Sequence, residues 1–222
     1  MDTGSLQRAR EAVVAAALPH VPFDGWTQRG LAAGARAAGM DAADAQRLFP
    51  RGPVEAIDVY SAMADRAMIE AVAALDPAAK AREKIAFGLR ARLDFTAPHK
   101  EAVRRATTVL AMPLNAPTGL RLLYRTVDAL WYAAGDTATD FNYYTKRAIL
   151  AAICSATFVF WFSDRSIDHA ATLAFLDRRL AEHGRLHGSI ERLKSRLENL
   201  PSPFLFAERF RLDRRRGRRG GL

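Results

Sequence analysis

The sequence is notable first for what it lacks. It has a single cysteine, Cys154, in 222 residues. This excludes an internal disulfide and any cysteine-rich zinc site, and leaves a core thiol in a reducing compartment as the reading. Five histidines are present, yet none sits in a metal-ligating pattern. His183 and His187 share the i, i+4 spacing without a carboxylate between them, and there is no Glu-x-x-His pair for a di-iron centre. His20, His99 and His169 have no partner within reach in sequence. There is no phosphate-cradling glycine loop, because Gly30 and Gly34 fall inside a helical pattern where small residues let neighbours approach. No segment alternates β-branched residues with period two, so the class expected is all-α. Met1 to Arg10 has no apolar leader core, so a cytoplasmic protein is expected. With no nucleophile beside a base, the chain reads as a protein that is not an enzyme, with no metal and no cofactor.

Charge is unevenly spread. The formal net charge is +9, and the last fifteen residues carry seven arginines against Glu208 and Asp213, or +5. The first 52 residues hold six basic and five acidic side chains and are nearly neutral.

The chain is organised around Thr139 to Phe162, an aromatic and charged head followed by an apolar tail. From Ala148 to Phe162 there is no charge, glycine or proline. A helix built from it is oily on every side and needs covering on every side. Fifteen residues fall short of the roughly 20 a membrane span needs, so a buried helix is expected. The head sets Tyr143 and Tyr144 beside Asn142, Lys146 and Arg147, amphipathic rings next to hydrogen-bonding groups, as partner surfaces are built.

In chain order, a first helix is expected over Leu6–Leu18, stopped by Pro19 and Pro22. Thr27 caps a second to Ala38, Gly39 ends it, and Asp41 caps a third reaching Phe49. Ala15 to Thr27, followed by Leu31, Ala32, Ala35 and Gly39, resembles the helix-turn-helix domain of TetR-type regulators. The third helix presents Asp41 and Asp44 with only Gln46 and Arg47 to read bases, so no nucleic acid is expected as a partner. The alternative function carried from this stretch is a TetR-type regulator sensing a hydrophobic effector.

Pro53 opens a long helix to Leu75. Asp76 and Pro77 start another to Asp94, and Thr96 to Pro98 a third carrying Val103, Val109 and Leu110. After a loop from Met112 to Pro117, Leu120, Leu123, Val127, Leu130 and Ala134 form a packing seam. Ser166 caps a last helix, where Ile167, Leu173, Leu176 and Leu180 begin an apolar stripe that Leu186, Ile190, Leu193 and Leu197 continue. From Leu200 the composition shifts to phenylalanines among arginines, either a segment lying in a headgroup layer or a solvated basic tail. Three parts result: a helix-turn-helix-like subdomain over 1–52, a helical domain over 53–199, to which the resemblance described next assigns lipid binding and dimerisation, and a basic, aromatic segment over 200–222.

Two strings carry a more specific resemblance: Leu110-Ala-Met-Pro-Leu-Asn-Ala-Pro117, and Val127 to Asp136 with Thr139 to Ile153. They resemble the TetR-like lipid-binding accessory proteins of coenzyme Q (ubiquinone) biosynthesis, the ninth of the Coq proteins. The resemblance implies a TetR-like helical bundle, a homodimer, and a cavity for isoprenoid or quinone lipid. It further implies docking to the demethoxyubiquinone hydroxylase of the pathway, peripherally at the inner membrane. The partner patch it implies falls on Leu130, Trp131, Asp140, Asn142, Tyr144 and Arg147, with Tyr143 where the family pattern has tryptophan. An all-round apolar helix without a span's length agrees with a lipid cavity, and Leu110, Leu123, Val127, Ile149, Ile153, Phe158 and Trp161 are the wall candidates. Membrane contact is expected at Phe204, Phe206, Phe210, Arg214 and Arg215.

Overall fold

The computed structural model describes residues 2–136 and 141–182, except for the side chains of Phe141 and Asn142, and every regular element in them is helical. The helices are α1 (Thr3–Ala17), α2 (Val21–Asp24), α3 (Gln28–Ala37), α4 (Ala42–Leu48), α5 (Pro53–Ala73), α6 (Ala81–Thr96), α7 (Lys100–Ala111), α8 (Ala116–Ala133) and α9 (Phe141–Ser163). A further helix, α10, begins at residue 170 and continues through 182. Residues Met1–Leu180 form one compact unit.

The start and stop signals act locally as expected at several ends. The Thr27 hydroxyl accepts from the Gly30 amide at 3.1 Å, and Asp41 accepts from Ala43 at 3.0 Å while Asp44 accepts from the Asp41 amide, closing a capping box. One signal is redirected. Asp76 accepts from the Ala78 amide at 2.8 Å in a turn of its own, so α6 starts at Ala81 and not at Pro77. The chain also inserts α2, with Pro22 in its first turn, between the first and second expected helices.

Two hydrophobic clusters form the core. The first joins Val13, Val14, Leu31, Ala35 and Phe49 of α1–α4 to Ile57 and Tyr60 of α5, Ala102 of α7 and Leu122 of α8. The helix-turn-helix-like part therefore shares its core with the bundle, pinned by the Trp26 indole donating to the Ala102 carbonyl at 2.9 Å and by the Arg10–Glu55 ion pair. The second cluster gathers Met68 and Val72 of α5, Ile85 and Leu89 of α6, Val127 and Leu130 of α8, Leu150 and Ile153 of α9, and Leu176 and Leu180 of α10. Close approach is built in at Gly34, where an added Cβ would lie 2.7 Å from the Val13 carbonyl oxygen, and at Gly88, where it would lie 2.6 Å from Leu130 Cδ1.

Helix α9 departs from expectation in two ways. Its Tyr143–Ser163 stretch of 21 residues is long and apolar enough to cross a membrane, because the helix includes part of the head as well as the fifteen-residue tail. It is also not covered all round: Leu150, Cys154, Thr157 and Trp161 are buried, while Ala148, Ala152, Ser155, Ala156 and Val159 are exposed. The α8 seam splits as well. Val127, Leu130 and Ala134 are buried, but Leu120 is 69% exposed and Leu122 takes its place in the core. In α10 the stripe begins late, with Ile167 exposed and Leu176 and Leu180 buried; Leu186, Ile190, Leu193 and Leu197 lie outside the described residues.

Candidate ligand cavity and docking face

Helices α5 to α9 enclose a cavity of about 540 Å³. Ile57, Tyr60 and Ala64 come from α5, Arg92 and Thr96 from α6, Val103, Ala106 and Leu110 from α7, Leu120, Leu122, Leu123 and Thr126 from α8, and Cys154, Phe158, Val159 and Phe162 from α9. The volume lies within the ~300–1,000 Å³ of typical small-molecule sites, and the walls are largely apolar. Exposed Leu120, Val159, Thr107, Ala111 and Ser155 define the mouth, on the α7, α8 and α9 side. Of the wall residues expected from sequence, Leu110, Leu123 and Phe158 line this cavity. Val127, Ile149, Ile153 and Trp161 do not. Val127 is fully buried in the second core cluster, Ile153 joins it there and Ile149 packs on it, whereas Trp161 is fully buried with its ring against Phe158, Phe162 and His169. On α9, Ile149 and Ile153 are four residues apart and so share the strip of the helix that packs on the second cluster.

The deep end of the cavity is polar, a feature with no local signal among the residues that form it. Asp65 of α5 accepts from Arg92 at 2.5 Å, from the Thr126 hydroxyl at 2.7 Å, and from Arg125 at 3.1 Å. Arg92 also donates to the Ser61 carbonyl and hydroxyl, both at 3.2 Å. Its guanidinium lies 6.0 Å from the Phe158 ring centroid. Two donors here have no hydrogen-bond partner among the described residues: the Tyr60 hydroxyl and Arg92 Nε. Tyr60 is 4% exposed, and burial pushes its hydroxyl up to about 12 against the opposing Arg92 charge, so it stays protonated. Burial likewise pushes the Cys154 thiol up to about 12, which keeps it an unreactive wall group. An unmatched buried donor costs ~1–3 kcal/mol, and both of these line a space able to admit an acceptor.

A second site forms at the facing ends of α8 and α9. Tyr143 donates to Asp128 at 3.0 Å and accepts from Tyr124 at 3.5 Å. Those hydrogen bonds, Tyr124's first and then Asp128's, push its hydroxyl up to about 12. Arg147 donates to Asp128 at 2.6 Å and to Asp136 at 3.4 Å, with its guanidinium 3.3 Å from the centroid of the Tyr143 ring. Lys146 pairs with Asp136 at 2.9 Å and sits 5.5 Å from the Trp131 ring, whose indole donates to the Lys146 carbonyl at 3.4 Å. Tyr144 meets Tyr143 edge-on at 5.1 Å and is 66% exposed.

The structure therefore sorts the expected docking residues. Tyr144 is exposed and Trp131 and Tyr143 are half-buried, while Leu130 and Arg147 are buried, at 0% and 4% exposure. The last two hold the face together and do not form its contact surface: Leu130 seats α8 in the core, and Arg147 ties α9 to α8. Asp140 and the side chain of Asn142 lie outside the described residues. Sequence reasoning missed the exposed Tyr124 and Tyr132. The i, i+4, i+8 spacing of Tyr124, Asp128 and Tyr132 was available as a signal.

Among the described residues no group of three or more histidine, cysteine, aspartate or glutamate side chains converges. In α4, Arg47 is engaged by Asp44 at 3.0 Å.

Helix-turn-helix-like helices ahead of a larger bundle with an apolar cavity define a TetR-like fold. The TetR transcriptional regulator from Nitrosomonas europaea has this architecture, with a TM-score of 0.64 over 78% of this chain and 96% of its own, at 22% identity. The COQ9 family profile matches residues 116–187, a span that opens at the first residue of α8 and includes the α8–α9 cluster described above. The Xenopus laevis ubiquinone biosynthesis protein COQ9-B is 30% identical over 202 residues, covering 87% of this chain and 69% of that protein. The human COQ9 protein, also named a mitochondrial ubiquinone biosynthesis protein, is 31% identical over 207 residues; this chain spans 65% of its length. The chain belongs to the COQ9 family.

Proposed function

We propose that this protein is a lipid-binding accessory protein of ubiquinone biosynthesis that holds isoprenoid or quinone intermediates and presents them to the demethoxyubiquinone hydroxylase at a membrane surface. The observation that carries the reading is the apolar cavity of about 540 Å³ inside α5–α9. Each CH₂-sized group of a polyprenyl chain moved from water into such walls gains ~0.8 kcal/mol, so affinity needs little beyond apolar surface and a mouth within reach of the bilayer. The protein acts as a carrier and not as an enzyme, as a homodimer, on the cytoplasmic face of the inner membrane. The curated relatives named above are mitochondrial proteins of the same pathway. Phe204, Phe206, Phe210, Arg214 and Arg215, the candidate membrane contacts, lie outside the described residues.

Mass spectrometry of lipid extracted from the purified protein tests the carrier role. Isoprenoid or quinone species are expected, and a protein that emerges empty and cannot be loaded with them ends the proposal. The docking face is tested separately. Tyr144→Ala removes an exposed ring and no buried contact, so hydroxylase binding should weaken about tenfold or more, as at an aromatic hot spot, with an unchanged melting temperature. Unchanged affinity moves the docking site elsewhere.

One rival reading has an observation behind it, since the α3–α4 pair keeps helix-turn-helix form. Tight, sequence-selective duplex binding at moderate salt would favour a regulator, and the neutral surface with Arg47 engaged by Asp44 speaks against it.

A further inference from the structure

The cavity's two ends are chemically unlike, and the deep end is under-satisfied. Its mouth is mostly apolar, with Leu120, Val159 and Ala111 exposed beside Thr107 and Ser155. Its deep end has two buried donors without partners, Tyr60 Oη and Arg92 Nε, on residues that both line the space. The remaining polar groups there are already engaged. Asp65 accepts from Arg92, Arg125 and Thr126, Arg92 Nη1 and Nη2 are taken by Asp65 and Ser61, and the Thr96 hydroxyl donates to carbonyls of its own helix. The two unpartnered groups at the deep end are therefore an N–H, which can only donate, and a phenolic hydroxyl, which can donate to an acceptor on a ligand.

We propose that this deep end is a head-group site, in which the Tyr60 hydroxyl and the Arg92 Nε–H donate hydrogen bonds to a ring oxygen of a quinone-type lipid whose isoprenoid tail leaves between α7, α8 and α9. The proposal rests on the carrier reading above and adds the ligand's class and direction to it. A neutral carbonyl or methoxy oxygen suits the site better than a carboxylate or phosphate. Arg92 already pairs with the Asp65 carboxylate, so an anion at the floor would sit beside that buried negative charge, whereas a neutral oxygen accepts from the same two donors without it. Flat partners for a ring are at hand in Phe158 and Phe162 on α9 and in Tyr60 itself, which stacks at a tilt with Phe95 at 6.1 Å. The enclosed volume is that of a drug-sized ligand, so a long polyprenyl tail has to run out through the mouth. Head inward and tail outward is then the order in which the ligand fits.

The test uses the full-length chain stripped of lipid, with affinity measured by displacement of a fluorescent lipid. Three probes are compared: a ubiquinone analogue with a two-isoprene tail, the same tail without the ring, and oleate. Tyr60→Phe deletes only the unpartnered hydroxyl, so the fold is preserved. Arg92→Lys keeps a cation for Asp65 and deletes Nε. Tyr60→Phe is expected to weaken the quinone about three- to tenfold, the range of one neutral hydrogen bond, and to leave the tail-only probe unchanged. Arg92→Lys is expected to do the same. Equal quinone affinity in wild type and Tyr60→Phe overturns the head-group site while leaving the carrier intact if all probes still bind. A Tyr60-dependent loss seen for oleate and not for the quinone overturns the quinone assignment, since the oxygen then comes from a carboxylate. No binding of any probe by the wild type brings down the carrier reading and this inference together.

Discussion

Helices α1–α4 and helices α5–α9 are built from the same alanine-rich material, yet the first group is closely packed while the second keeps a hollow. In the first, Gly34 lets α3 settle on α1 so closely that a single Cβ would meet the Val13 carbonyl and Ala17 at 2.7 Å, and Val13, Val14 and Ala35 are fully buried. In the second, α7, α8 and α9 leave a gap walled by Leu110, Leu123 and Phe158. Both regions use small residues to bring helices together, Gly34 in the first and Gly88 in the second. The second adds charged struts, Asp65 with Arg92 and Arg125 and Asp58 with Arg121 and Arg125, beside apolar surface that it leaves uncovered.

Breaking the struts should have the largest effect. Asp65→Ala removes the carboxylate shared by Arg92 and Arg125 and strands a buried guanidinium, so a loss of about 3–5 kcal/mol is expected in denaturant unfolding. A loss within ~0.5 kcal/mol would mean the cations reach water and the cavity floor is softer than described. A paired substitution sharpens the contrast between closed and hollow regions. Gly34→Ala forces a methyl into the α1–α3 contact and should cost about 1–3 kcal/mol, whereas Ala64→Leu adds three carbons at a cavity wall and should cost less than about 1 kcal/mol. Equal costs would mean that the two regions are packed alike.

The smallest effect is a pH effect beyond both regions, at the turn into α10. Burial tends to raise the Asp164 carboxyl, but hydrogen bonds from Thr172 and Ser166 outweigh it and hold the group well below the usual carboxylate range. A depressed folded value stabilises the protein in full above the unfolded value near 3.9, and that stabilisation fades as pH falls toward the folded value. The stability gap between wild type and Asp164→Asn should therefore be constant above about pH 5 and narrow below about pH 4. A gap that widens on acidification would contradict the assignment.

Much of the helical plan was legible because its signals are local. Thr27, Asp41 and Pro53 each act within one turn, and the all-α class follows from periodicity. The α6 start was misread at Asp76 because an aspartate serves a turn as readily as a cap, and only the backbone geometry decides which. Family membership was legible in the string from Val127 to Ile153, which is long and irregular enough to be distinctive. The site was legible in part. An oily helix announces that it must be covered, but not by what: Phe158 faces the cavity, and Trp161, three residues on, is sealed in core. Arg147 looked like a surface contact since charge suggests exposure, and it is buried because Asp128 and Asp136 come to meet it.

By itself the sequence determined the helices, their order and the kinship, because caps, prolines and apolar spacing act over a few residues. Tertiary structure alone decided where the hollow lies, which of its walls are wet or dry, and that Tyr60 and Arg92 arrive at its floor with donors unspent. These depend on residues about 30 apart in sequence, on separate helices, being brought together, and no local rule specifies that meeting.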